Sequence, residues 1–198
     1  MTTLAQSILQ HAQVLPEGGV LSPKDFLHLG SRAAVDQALS RLTKEGSLMR
    51  VARGTYVVPV SSRFGTRPPA PEKVVQAMAA QSGEIVAPHG ARAANALGLT
   101  QQVPIREVYL TSGRTHRLKL GRSEVTVRHA PRWMLALGTR PAGSAVRALE
   151  WLGPAHVGEA LAKLRQTLPP EEWKALASAR GALPSWMAQA IGSEAVHG

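Results

Sequence analysis

Residues 31–46, SRAAVDQALSRLTKEG, constrain the fold more than any other stretch of the chain. Ser31 suits a helix N-cap, because its hydroxyl can accept a backbone N–H left unpaired in the first turn. Val35, Ala38, Leu39 and Leu42 then recur at i, i+3, i+4 and i+7, a single apolar stripe on a helix. Gly46 stands where a left-handed residue closes the last turn. SLMRV and TYVVP follow as two short strands around ARG, with Gly54 permitting a tight turn.

The residues before Ser31 supply the rest of a small domain. Thr2 or Thr3 can cap a first helix whose apolar side is Leu4, Ile8, Leu9 and Ala12. PEGG breaks it, and VLSPKDFLHLG reads as an extended piece followed by a short helix. Ser22 would cap that helix, Pro23 would open it and Gly30 would end it. Helix, short helix, long helix, hairpin is the order of a winged helix-turn-helix.

That order gives the polar side of the long helix a use. Opposite its apolar stripe it carries Arg32, Ala33, Asp36, Gln37, Ser40, Arg41 and Lys44. Arginine can bond guanine edges in a bidentate way and glutamine can bond adenine, in a major groove wide enough for a helix. Arg50, Arg53 and Thr55 at the hairpin would reach the flanking backbone or minor groove. The same charges would equally serve as a solvated helix face, and Asp36 repels phosphate unless it accepts from cytosine.

The segment SSRFGTRPPAPEK, residues 61–73, holds three prolines in four positions and reads as a joint. It sets expected domains of 1–66, a winged helix-turn-helix, and 67–198, a mixed α/β domain with a small sheet and a helical C-terminus. The fold class expected is therefore α+β. In the second part, residues 71–83 form an amphipathic helix with Val74, Val75, Met78 and Ala79 inside. EIVAPHGARAANALG gives a strand, a turn at His89 and a small helix ended by Gly98. Val108/Leu110, Leu118/Leu120 and Val125/Val127 mark the inward sides of three strands. Four helices follow over 144–152, 154–168, 170–179 and 184–191.

Charge narrows the partner. Twenty-three Lys and Arg against thirteen Asp and Glu give +10, with a pI near 11.0, a balance that favours a polyanion. Residues 106–147 contain nine Lys or Arg and two Glu, the whole +7 excess of the second part. Arg114, Arg117 and Arg122 sit at or beside its turns and would extend a DNA track, bind RNA or an acidic protein, or keep an edge soluble.

Little points to catalysis. There is no cysteine, which excludes disulfides, thiol catalysis and Cys-based zinc sites. The seven histidines show no metal-ligand spacing, and neither a phosphate loop nor a nucleophile elbow is present. No enzyme activity, metal or cofactor is expected. Gly90 opens a helix that could hold an anion, while His89 suits a capping role. The four Trp, all in the C-terminal part, suit core packing, with Trp186 a candidate surface anchor. Neither a secretory signal nor a membrane span is visible, so a cytoplasmic location is expected.

The phrase LSPKDFLHLGSRAAVDQALSRLTKEGSLMRVARGTYVVP resembles the winged-helix start of AbiEi-type antitoxins. APHGARAANALGLTQQVPIREVYLTSG, GRSEVTVRHAPR and LPSWMAQAI look like the AbiEi-like proteins of unknown function. The resemblance implies the antitoxin of a type IV toxin–antitoxin system. Its N-terminal domain would bind inverted repeats of operator DNA and repress its own operon; because one such module buries little surface, dimerisation or a second contact is expected to supply the rest. Its C-terminal domain would oppose a nucleotidyltransferase-like toxin. The alternative is a protein-interaction or RNA-binding module that uses the winged helix as scaffold.

Overall fold

The computed structural model describes residues 3–196 and shows an α+β protein. Thr2, considered as a cap, and His197 lie outside the described residues. Its contacts divide the chain into two units, Met1–Glu84 with His116–Val127, and Ile85–Thr115 with Arg128–Gly198.

In the first unit, α1 spans Leu4–Gln13 behind a Thr3 capping box with Gln6. Strand β1 is Val20–Leu21, and a 3-10 helix follows at Pro23–Phe26, shorter than the helix expected to run on to Gly30. Helix α2 spans Arg32–Lys44, with Ser31 accepting from the Ala34 N–H at 3.3 Å. Strands β2, Met49–Ala52, and β3, Thr55–Val57, complete a sheet in the order β1-β3-β2. Ile8, Leu21, Phe26, Val35, Leu39, Leu42 and Leu48 are buried together between helices and sheet. Each such side chain contributes roughly 1.5–3 kcal/mol, against well under ~1 kcal/mol for an exposed ion pair. The apolar stripe therefore sets the orientation of α2, and its polar face is left free of structural duty.

The proline-rich joint is folded into this unit. Residues 60–67 form a hairpin, β4 at Val60–Ser62 and β5 at Gly65–Arg67, where an unstructured connection was expected. Helix α3, Pro71–Ser82, buries Val74, Val75 and Ala79, with Met78 half-buried. Glu17 ties this segment back. Its carboxylate accepts from Lys73 Nζ, from the Ala70 N–H at 3.2 Å and from Arg67 Nη1 at 3.3 Å. Gln81 also donates to the Val20 carbonyl at 3.0 Å. The division of contacts thus falls after Glu84, not at the joint expected near 67. The hairpin of β8, His116–Leu120, and β9, Ser123–His129, returns to this unit as far as Val127, and β8 packs beside β2.

The second unit holds β6, Val86–Pro88, paired antiparallel with β7, Glu107–Thr111. Helix α4, Gly90–Ala96, packs on α6, Pro141–Leu152. Between them comes a one-turn helix α5, Arg132–Leu135. Helices α7, Val157–Thr167, α8, Pro170–Ala179, and α9, Ser185–Val196, follow. Leu149, Leu161, Leu164, Leu176, Met187 and Ile191 form their core, with Trp133, Trp173 and Trp186 packed against it. Trp151, rather than Trp186, is the exposed tryptophan.

Candidate nucleic-acid interface

With Val35, Leu39 and Leu42 buried, Arg32, Ala33, Asp36, Gln37, Ser40, Arg41 and Lys44 are all exposed on the other face of α2. Two of its cations are already engaged along the helix. Arg32 Nε donates to Asp36 Oδ2 at 2.9 Å, and Arg41 Nε lies 3.6 Å from Glu45 Oε1. Both pairs are exposed, so water and salt weaken them and a phosphate can compete for either arginine.

The β2–β3 hairpin supplies the second wall. A bulge between Arg50 and Ala52 turns the arm, and Gly54, at φ +70°, makes the tip. Arg53 is exposed there, and Arg50 Nε donates to the Ala52 carbonyl at 3.4 Å. Thr55 is half-buried opposite Ala52.

Helix, 3-10 turn and hairpin enclose an open cleft of about 680 Å³. Arg32, Asp36 and Ser40 line it from α2, Lys24 from the 3-10 turn, and Arg50, Arg53 and Gly54 from the hairpin. Lys24, Arg32, Arg50 and Arg53 against Asp36 leave its wall at +3. Gln37, Arg41, Lys44 and Ala33 share the exposed helix face but do not line the cleft, and neither does Thr55. Lys24 was not among the expected site residues, although its place next to Pro23 in the first turn puts it beside the long helix.

Arg50 also borders a second cleft of about 560 Å³, with Thr43, Arg67 and Lys119. The three arginines expected to extend a DNA track fall in different units. Arg117, on β8, lies 3.5 Å from Glu124, and Arg122 is exposed in the β8–β9 turn, both in the first unit. Arg114 is exposed in the second unit. The +7 excess of residues 106–147 is also smaller at the surface than its count. Arg147 is fully buried, donating to the carbonyls of Met134 and Gly138, and burial pushes its pKa down to about 10. Arg140 is held by Glu172 through bonds of 2.8–3.1 Å.

In the second unit, His89 caps α4, its Nδ1 accepting from the Ala91 N–H at 3.2 Å. Burial, with the Arg128 charge nearby, holds its pKa below the usual histidine value. Gly90 answers to packing: a Cβ there would lie 2.3 Å from the Arg147 carbonyl oxygen. Among the described residues no group of three His, Asp or Glu is placed to hold a metal ion. Nor is any helix among them long and apolar enough to cross a membrane.

The model of the family of unknown function DUF6088 matches residues 7–175, and the chain belongs to that family. Among curated proteins there is no match. Among solved structures, the crystal structure of the RV2827C protein from Mycobacterium tuberculosis is similar over 96% of this chain and 81% of that one. The two are 17% identical in sequence, with a TM-score of 0.47.

Proposed function

We propose that this DUF6088 protein is a DNA-binding transcriptional repressor whose N-terminal unit works as a winged helix-turn-helix. One observation carries the reading. Arg32, Asp36 and Ser40 of α2 and the arginines of the β2–β3 hairpin border the same +3 cleft, with the buried Val35, Leu39 and Leu42 on the opposite side of the helix. The order α1, β1, 3-10 turn, α2, β2, β3, with β1 paired to β3, supports the winged-helix assignment. In this reading α2 enters the major groove, Arg32 and Gln37 meet base edges, and Arg50 and Arg53 meet phosphates on the flank.

A single module of this size buries only about 600–1,000 Å² of protein on DNA. Two copies on an inverted repeat, or a second contact on each copy, supply the remainder. Selection of bound duplexes from a random pool tests the proposal, using the full chain. An enriched inverted repeat that also occurs upstream of the protein's own gene is the expected result. A pool that stays random after several rounds, or enrichment of RNA over DNA in a parallel pool, would refute it.

The antitoxin role rests on the resemblance of residues 87–113 to AbiEi-like proteins. Its test is rescue of growth when the chain is co-expressed with a nucleotidyltransferase-like protein encoded beside it. A protein-interaction role has its own support in the second unit. There Val103 and Ile105 are 75% and 100% exposed and border a pocket of about 350 Å³ with Arg92 and Arg106. A protein partner such as a toxin would find its apolar anchor there.

A further inference from the structure

The β4–β5 hairpin ends in Arg63 and Phe64, and every residue from 61 to 67 is exposed. Its tip is nonetheless ordered by local bonds. Ser62 Oγ donates to the Gly65 carbonyl at 2.9 Å and accepts from the Phe64 N–H at 3.2 Å, and Gly65 takes φ +108°. At its base, Arg67 is paired with Glu17. Phe64 is 86% exposed, and the Arg63 guanidinium lies 4.7 Å from the centre of its ring. An aromatic ring held out at a turn, with a cation on its face, contributes nothing to the core beneath it. It is placed for something outside the chain.

Charge and position say what. From Gly46 to Pro71 the chain contains four arginines, 50, 53, 63 and 67, and no carboxylate. The two successive hairpins carry related tips, Arg53-Gly54-Thr55 and Arg63-Phe64-Gly65-Thr66. Arg50 borders both the 680 Å³ cleft of α2 and the 560 Å³ cleft that Arg67 lines from the second hairpin. The cationic surface therefore continues from α2 past the first hairpin to the base of the second. Proteins that kink duplex DNA insert an apolar wedge such as Phe between base steps from the minor groove, where arginine is drawn by the negative potential.

We propose that the β4–β5 hairpin is a second wing, in which Phe64 wedges into a base step in the minor groove and Arg63 holds the adjoining backbone. The proposal rests on the DNA-binding reading above and supplies the second contact that it offers as one alternative to pairing two copies.

The test uses the full chain on a 30-bp duplex taken from the selected pool, with 2-aminopurine placed in turn at each step flanking the enriched sequence. The wild-type protein is expected to raise the fluorescence at one flanking step, the signature of unstacking. Phe64→Ala should abolish that rise and weaken binding about tenfold, whereas Phe64→Leu, which keeps an apolar wedge, should retain both. Because Phe64 is exposed, both variants should keep the wild-type circular dichroism spectrum. Unchanged affinity and fluorescence in Phe64→Ala would overturn the wedge while leaving duplex binding by α2 intact. Tighter binding to either single strand than to the duplex would overturn it as well. No duplex binding by the wild type would overturn both this proposal and the reading beneath it.

Discussion

Asp36 sits in the middle of the cationic face of α2, and its carboxylate takes the Arg32 Nε–H at 2.9 Å. Near phosphate such a carboxylate costs affinity at every sequence, but it also holds Arg32 in one direction. Asp36→Ala should therefore tighten binding to scrambled duplex several-fold and narrow the gap between selected and scrambled DNA. Competition titrations on the two duplexes at one salt concentration check this, and an unchanged gap would remove Asp36 from recognition. Glu17 acts on stability instead. The Lys73 hydrogen bond first, then the Ala70 N–H, lower its carboxyl from 4.5 to about 2. The unfolded chain thus takes up this proton first as pH falls. The stabilisation is fully present above about pH 4.5 and is lost on acidification towards pH 2. Glu17→Gln should lower the Tm at pH 7, and the difference from wild type should shrink steadily between pH 4.5 and 3. A difference independent of pH would mean that the carboxylate charge does not matter.

Elements with strong local signals were legible before the fold was. Ser31, the spacing of Val35, Leu39 and Leu42, and Gly46 at φ +76° delimit α2 as observed. The strands at 116–120 and 123–129 likewise follow their alternation, whereas at 107–111 Tyr109 and Thr111 are buried along with Leu110 and Val108 is only half-buried. The hairpin at 60–67 was not legible, because its strands are three residues long and bury nothing that would give a period of two. Its arginines therefore read as part of a connection. One signal could have exposed it: four arginines without a carboxylate across two Gly-containing turns. Close packing at Gly90 is illegible in the sequence for a different reason. Its neighbour across the helix pair, Arg147, lies 57 residues away in sequence (147 − 90), so close approach leaves no local trace. Gly90→Ala must push α4 away from α6 and should cost about 1–3 kcal/mol, measured by urea denaturation. A neutral result would show that the helices separate freely.

At the scale of the whole molecule, the first unit is discontinuous, because residues 116–127 return to a unit that the chain left at residue 84. Composition cannot reveal such a return, since prolines mark a turn of the chain equally well inside a unit and between two. A fragment of residues 1–66 lacks α3, the β8–β9 hairpin and the partners of Glu17. It should melt well below the full chain by circular dichroism, whereas residues 1–84 joined to 116–127 through a short flexible linker should melt higher. Equal melting of the two fragments would restore the joint at 67 as the boundary. The central claim concerns the cleft of α2 and the β2–β3 hairpin, and salt dependence tests it most directly. The slope of log K against log salt, measured for the full chain on a selected duplex, counts the phosphates engaged. Arg53→Ala should reduce that slope by about 0.9, one phosphate, on selected and scrambled duplex alike. An unchanged slope on both duplexes would contradict the placement of DNA against this hairpin.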